Sequence, residues 1–384
     1  MNLDLSWILL GLPAAFILGW IASRLDLRQL RIENRRNPKA YFRGLNFLLN
    51  EQQDQAIDAF IEAVQADPDT SELHFALGNL FRRRGEYERA VRVHEHLLSR
   101  GDLSLAERQR AQHALALDYL KAGLLDRADD ALFKLEGTPY ENQARLARLV
   151  NCERARDWTQ AAVLARQLDN TEHGSFRPRL AHYLCEQAMA HLARGEIEAA
   201  RSQLLQAIDT CPDAPRPRIE LAQLQLQQGQ AAAACVTLQA ALDACPTAIP
   251  LIATPLAQAA LACGRGAAAQ TRLQELYAQA PALDILEALV TLQTALGDAT
   301  QTRDWYVRHL EREPSLVAAS KWLAGEQLQH EQFHPQVQRA LDHAVKPLTR
   351  YRCAACGFEA KQHFWQCPGC QAWDSYPARR VEEL

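Results

Sequence analysis

The sequence predicts an all-α chain, a solenoid of stacked helix pairs closed by a small cysteine-bearing module. Three observations carry this prediction. Small and aromatic residues recur at a fixed period through the middle of the chain, no strand-rich segment interrupts them, and four late cysteines form two C-x-x-C pairs, Cys353/Cys356 and Cys367/Cys370. A fixed period of this kind marks a repeat architecture, in which each unit buries its apolar face only against its neighbours.

The amino-terminal element has a different character. Residues 5–22, LSWILLGLPAAFILGWIA, carry no charge, and as a helix they would extend roughly 27 Å, close to the hydrocarbon thickness of a bilayer. Trp7 and Trp20 lie near the two ends, where indoles favour the membrane interface, and Pro13 is tolerated in a membrane helix. Only Asp4 is charged before the run; after it come Arg24, Arg28, Arg31, Arg35, Arg36, Lys39 and Arg43 against Asp26 and Glu33. A cleaved secretion signal has the opposite order. Residues 1–23 are therefore expected to be a retained transmembrane anchor and 24–36 a basic juxtamembrane linker, with the carboxyl-terminal bulk on the cytoplasmic side. Gly11, Ala15, Gly19 and Ser23 form a small-residue stripe that could receive another membrane helix. With a net charge of -4, the chain gives no reason to expect nucleic acid as its main partner.

From Asn37 the repeats begin. The pairs Gly44/Gly78, Phe47/Phe81 and Ala56/Ala90 are each 34 residues apart. With Phe60, Ala63 and Pro68 they carry the tetratricopeptide pattern, in which small residues let two helices approach and proline ends the second. Ala128, Leu132 and Leu135, then Trp158, Ala161 and Leu168, read as second helices of a third and fourth repeat. Gly195/Gly229 and Pro212/Pro246 keep the same 34-residue spacing, and a last helix pair is expected over about 316–346. Residues 37–346 thus read as about nine helix pairs.

Such an array supplies an extended binding face and no chemistry by itself. The sequence holds no phosphate-binding glycine loop, H-E-x-x-H, nucleophile elbow or dinucleotide fingerprint, and a non-enzyme is expected. Candidate partner-binding residues come from the concave positions of the first two repeats: Tyr41, Leu45 and Leu48 as an apolar patch, then Asn79, Arg82 and Arg83 for an acidic or carboxylate-bearing peptide. His74, His94, His96, His113, His182 and His191 fall singly on helices and read as structural or surface residues.

Residues 347–384 form the last domain. In a reducing compartment stable disulfides are not expected, and two C-x-x-C pairs read as one tetrathiolate metal site with Cys353, Cys356, Cys367 and Cys370 as ligands. Four thiolates suit zinc or iron. Gly357 permits the positive φ that a metal knuckle demands, while Gln371 stands where the second knuckle would often carry glycine. Phe358, Phe364, Trp365 and Trp373 are expected to wrap the metal, and the aromatic surface to fold back on the helices through the short connection around Pro347. The other cysteines, Cys152, Cys185, Cys211, Cys235, Cys245 and Cys263, read as small buried hydrophobes.

GLNFLLNEQQDQAIDAF, LGNLFRRRGE, YRCAACGF and WQCPGCQAW carry a further likeness. With the anchor and the repeats, the chain resembles the lipopolysaccharide assembly protein B family: inner-membrane, single-pass, cytoplasm-facing tetratricopeptide proteins with a rubredoxin-like tail. The resemblance implies an adaptor that works with the membrane protease FtsH to promote degradation of LpxC, the deacetylase committing carbon to lipid A. It also implies an inner-membrane lipopolysaccharide-sensing partner, reached through the transmembrane helix. It carries the metal-ligand role onto Cys353, Cys356, Cys367 and Cys370, and carries over no catalytic residue. A non-proteolytic scaffold for envelope enzymes and a redox or metal-sensing protein are the two other readings.

Overall fold

A computed structural model of the chain describes residues 20, 39–169, 174–297, 299–325 and 334–384. The expected anchor and basic linker lie outside these residues apart from Trp20. Among the described residues no single helix is long and apolar enough to cross a membrane. They form two compact units, divided after Ala155.

The first unit contains α1 (Lys39–Leu49), α2 (Gln53–Ala66), α3 (Ser71–Arg84), α4 (Tyr87–Ser99), α5 (Leu105–Ala122), α6 (Leu125–Phe133) and α7 (Glu141–Ala155). Close packing explains the repeat's small residues. A Cβ on Gly44 would lie 2.9 Å from the Phe60 ring, and one on Gly78 would lie 2.5 Å from the His94 imidazole. Ala56 and Ala90 are completely buried in the core that holds Phe60, Leu73, Leu77 and Phe81. Gly85 ends α3 at φ +86°, a conformation costly for residues with a Cβ, and its amide and that of Glu86 satisfy the last carbonyls of the helix. Ser104 and Glu107 close a capping box at the start of α5.

The second unit holds α8 (Trp158–Leu168), α9 (Arg177–Ala193), α10 (Ile197–Thr210), α11 (Pro215–Gln227), α12 (Ala231–Ala244), α13 (Ile249–Ala262), α14 (Gly266–Gln279), α15 (Leu283–Ala295), α16 (Ala299–Arg312), α17 (Leu316–Ala324) and α18 (His334–Val345). Eighteen helices are therefore present among the described residues, the number that nine pairs require. The main core runs from α11 to α17 and centres on Ile252, Leu256, Leu273, Leu286, Leu289 and Leu292. The carboxyl-terminal module is the exception to the helical pattern. β1 (Tyr351–Arg352) pairs antiparallel with β2 (Glu359–Ala360), with Tyr351 opposite Ala360.

Most of the predicted concave residues, Arg83 apart, have partners inside the first unit. Arg82 donates to Asp118 Oδ1 at 2.8 Å and to the Ala114 carbonyl at 3.1 Å, and it also bonds Asn79. Asp118, fully buried, is shared with His94. Arg82 is thus a strut between α3 and α5, whereas Arg83 is exposed. Tyr41, Leu45 and Leu48 are half-buried against the core around Phe60.

Candidate metal centre

The four predicted cysteines meet at one point. Their sulfurs all lie within 4.8 Å of one another, with Cys353 Sγ 3.8 Å from Cys370 Sγ and Cys356 Sγ 3.7 Å from Cys367 Sγ. Metal–sulfur bonds of about 2.3 Å in a tetrahedron place the sulfurs roughly 3.8 Å apart, so the donor set fits a single tetrahedral ion without rearrangement.

Two matching turns produce this geometry. In the first, the Gly357 amide bonds the Cys353 carbonyl at 2.9 Å; in the second, the Gln371 amide bonds the Cys367 carbonyl at 2.8 Å. Gly357 sits at φ +77° and Gln371 at φ +61°. The glutamine therefore adopts the left-handed conformation for which its position is expected to carry glycine. A side chain there costs about 1–2 kcal/mol, offset in part by the greater chain entropy that glycine loses on folding. Gln371→Gly is expected to stabilise the module by about 0.5–1 kcal/mol, read as a two- to fivefold tighter apparent metal affinity in chelator competition. Gly357→Ala should weaken it.

The surroundings favour the thiolate at the two buried cysteines. Burial opposes ionisation of Cys353, but the Ser375 hydroxyl, 3.2 Å from its sulfur, and the amides of Cys356 and Ala355 outweigh it and lower the thiol to about 6. Burial likewise opposes Cys367, and the amides of Cys370 and Gly369 bring that thiol down. The Phe358 amide favours ionised Cys356, yet burial and the hydrogen bonds shared with Cys370, Cys367 and Cys353 raise it to about 12. Four thiolates this close need a cation among them. Cys353 and Cys367 are buried, while Cys356 and Cys370 face solvent.

The aromatic residues go to three places, which corrects the expectation that all four wrap the metal. Tyr351, Phe364 and Tyr376 wall the buried sulfurs. Phe358 is exposed beside the second turn, with its ring 3.4 Å from where a Cβ of Gly369 would sit. Trp365 and Trp373 instead dock the module on the helices. Trp373 stacks on His182 of α9, ring centroids 4.7 Å apart, and meets Tyr183 and Trp158 edge-on. Trp365 packs against the main core of the second unit. His182 Nε2 donates to the Asp374 carboxylate at 2.9 Å, and Arg216 of α11, bound to Glu186 and Glu220, stands behind the imidazole. The fold-back onto the helical array is thus present in the second unit, built on a histidine that the sequence marks only as structural.

The carboxyl-terminal tail, to which sequence reasoning assigned no role, adds a second attachment. Arg380 donates to Asp284 Oδ1 of α15 at 2.6 Å and lies over the Tyr351 ring, and the Tyr351 hydroxyl bonds the same carboxylate at 3.2 Å. The only available signal is compositional: a charged Arg-Val-Glu-Glu stretch follows the metal module.

Helical repeats carrying a four-cysteine, rubredoxin-like module define the class of protein. Residues 351–376 match the family described as rubredoxin metal binding domain, and residues 43–93 and 185–249 match the tetratricopeptide repeat. The chain is a homologue of curated proteins named lipopolysaccharide assembly protein B. It is 29% identical to that of Escherichia coli (strain K12), with both chains fully covered, and 25% identical to that of Haemophilus influenzae, with 97% of each covered. Among solved structures, a tetratricopeptide repeat protein from Parabacteroides merdae aligns at a TM-score of 0.34 and 16% identity, over 66% of this chain and 98% of that one.

Proposed function

We propose that the chain is a membrane-anchored, non-catalytic adaptor in lipopolysaccharide assembly, one that brings the deacetylase LpxC to the protease FtsH on the cytoplasmic side of the inner membrane. The observation that carries this reading is the likeness, over the whole chain, to curated proteins named for lipopolysaccharide assembly. The uncharged run at 5–22 with basic residues after it supports the anchored topology. Anchoring confines the repeats to the surface where a membrane protease works, which raises effective concentration without stronger contacts. The helical repeats supply binding surface, with Arg83, Tyr41 and Leu45 as candidate contacts in the first unit. The module holds one ion, zinc or iron, through Cys353, Cys356, Cys367 and Cys370. Its role is structural, since the packing of half-buried Trp365 and Trp373 against the helices makes it a fixed part of the second unit.

The test is the half-life of the deacetylase in cells with the chain, without it, and with a variant lacking residues 1–23. The adaptor reading expects the enzyme to persist in both defective strains. An unchanged half-life throughout would discard proteolytic delivery and leave a scaffold for envelope enzymes.

A further inference from the structure

The last six residues form a strap whose two consecutive glutamates each cap a different helix. Glu382 accepts hydrogen bonds from Ser315 Oγ at 2.7 Å, Leu316 N at 2.6 Å and Val317 N at 3.2 Å, the first groups of α17. Glu383 accepts from Leu283 N at 2.8 Å, the first residue of α15, and from Arg380 N at 3.0 Å. No side chain of Ala282, the residue before α15, can serve there. The amides at a helix start lack partners within the helix, and a carboxylate satisfies both their hydrogen bonding and the helix dipole.

The strap is held from its other side by the approach to the metal module. Val381 N donates to the Arg350 carbonyl at 2.7 Å, Glu382 N to the Leu348 carbonyl at 3.2 Å, and Arg380 Nη1 to the Thr349 carbonyl at 3.3 Å. Tyr351 follows directly, bonded to Asp284 and paired with Ala360, and Cys353 is two residues further on. One face of the strap therefore rests on helix starts and the other on the segment 348–351 that leads into the first metal knuckle. A module this small keeps its fold only with its ion.

We infer that the strap is a metal-dependent latch: it is seated while the four-cysteine module is folded around its ion, and loss of the ion withdraws both glutamates from the first amides of α15 and α17, leaving α17 only the cap that Ser315 Oγ gives Ala318 N. This rests on the metal-binding reading above. Once the module unfolds, the carbonyls of 348–350 and the Tyr351 ring leave their places, and the strap keeps only its helix-side bonds, which must then offset the whole entropy of ordering six terminal residues. Metal loading is thereby communicated to two successive repeats, with no change in the bonds among the remaining helices.

The experiment is amide hydrogen exchange on the full chain in detergent, comparing metal-loaded protein, chelator-treated protein and the double variant Glu382→Ala/Glu383→Ala. Metal content is measured on each sample. Chelation is expected to speed exchange at Leu283, Leu316 and Val317 by roughly fivefold or more, the size of a lost cap, while α9 to α13 keep their protection. The strap variant should speed the same amides yet retain its metal. Unchanged exchange at those amides in chelated protein whose module has opened would overturn the latch, as would their unchanged exchange in the strap variant. Loss of protection throughout α9 to α13 would overturn it too, showing global unfolding instead. Absence of metal from the native chain would refute the metal reading itself, a result separable from the other three.

Discussion

Replacing Cys353 and Cys356 together by serine is expected to unfold residues 351–376 and make 347–384 protease-sensitive, while the helices of the first unit stay folded. The expectation follows from how little else holds the module. Its sheet has two strands of two residues each, and its buried set is Tyr351, Cys353, Cys367 and Tyr376. That core is too small to offset the conformational entropy of the segment. Structural zinc contributes on the order of 10–16 kcal/mol in small finger peptides, so removing two of four ligands costs more than the module possesses. The loss propagates, because Trp373 and Asp374 leave His182 and expose the aromatic face formed with Tyr183 and Trp158. Limited proteolysis reads the outcome directly. Retained resistance of 347–384 in the double variant would show that packing, not metal, holds the module.

The second large effect is expected at Asp118. Its carboxylate is fully buried and serves both Arg82 and His94, so Asp118→Ala leaves a cation and a buried imidazole without their anion. His94 already has one ring nitrogen, Nε2, with no partner. Breaking a buried ion pair by deleting one member costs about 3–5 kcal/mol, and that loss should appear as a lowered unfolding midpoint of the first unit. Glu62→Ala provides the contrast. The Arg43–Glu62 pair is exposed at 51% and 61%, and such pairs contribute about 1 kcal/mol or less. Equal effects at the two sites would show that the Asp118 cluster is a solvated pair in solution.

The helical repeats were legible because their determinants are local and periodic. Gly44 and Gly78 are small for a reason that a single repeat contains: the Phe60 ring and the His94 imidazole occupy the space of a Cβ. The metal centre was legible because each C-x-x-C pair shapes its own turn, and the spacing between the pairs brings four sulfurs together. What escaped the sequence depends on partners far along the chain. Arg82 looks like a free cation until Asp118, 36 residues on, is placed beside it. Trp365 and Trp373 carry no mark that separates docking residues from a metal's apolar wall. Glu382 and Glu383 reach helix starts 66 and 100 residues away, and no local pattern announces such a cap. Gln371 shows the limit of residue-type rules, since the second knuckle takes its positive φ without glycine.

One ion held by four thiolates is the point on which the module, its docking and the latch all depend. The most direct test is the metal content of the full chain, purified from membranes in detergent under reducing conditions, by elemental analysis with native mass spectrometry. The account expects one zinc or iron per chain, and none in the variant with both Cys353 and Cys356 replaced by serine. A native chain that carries no metal while residues 347–384 remain folded would contradict it.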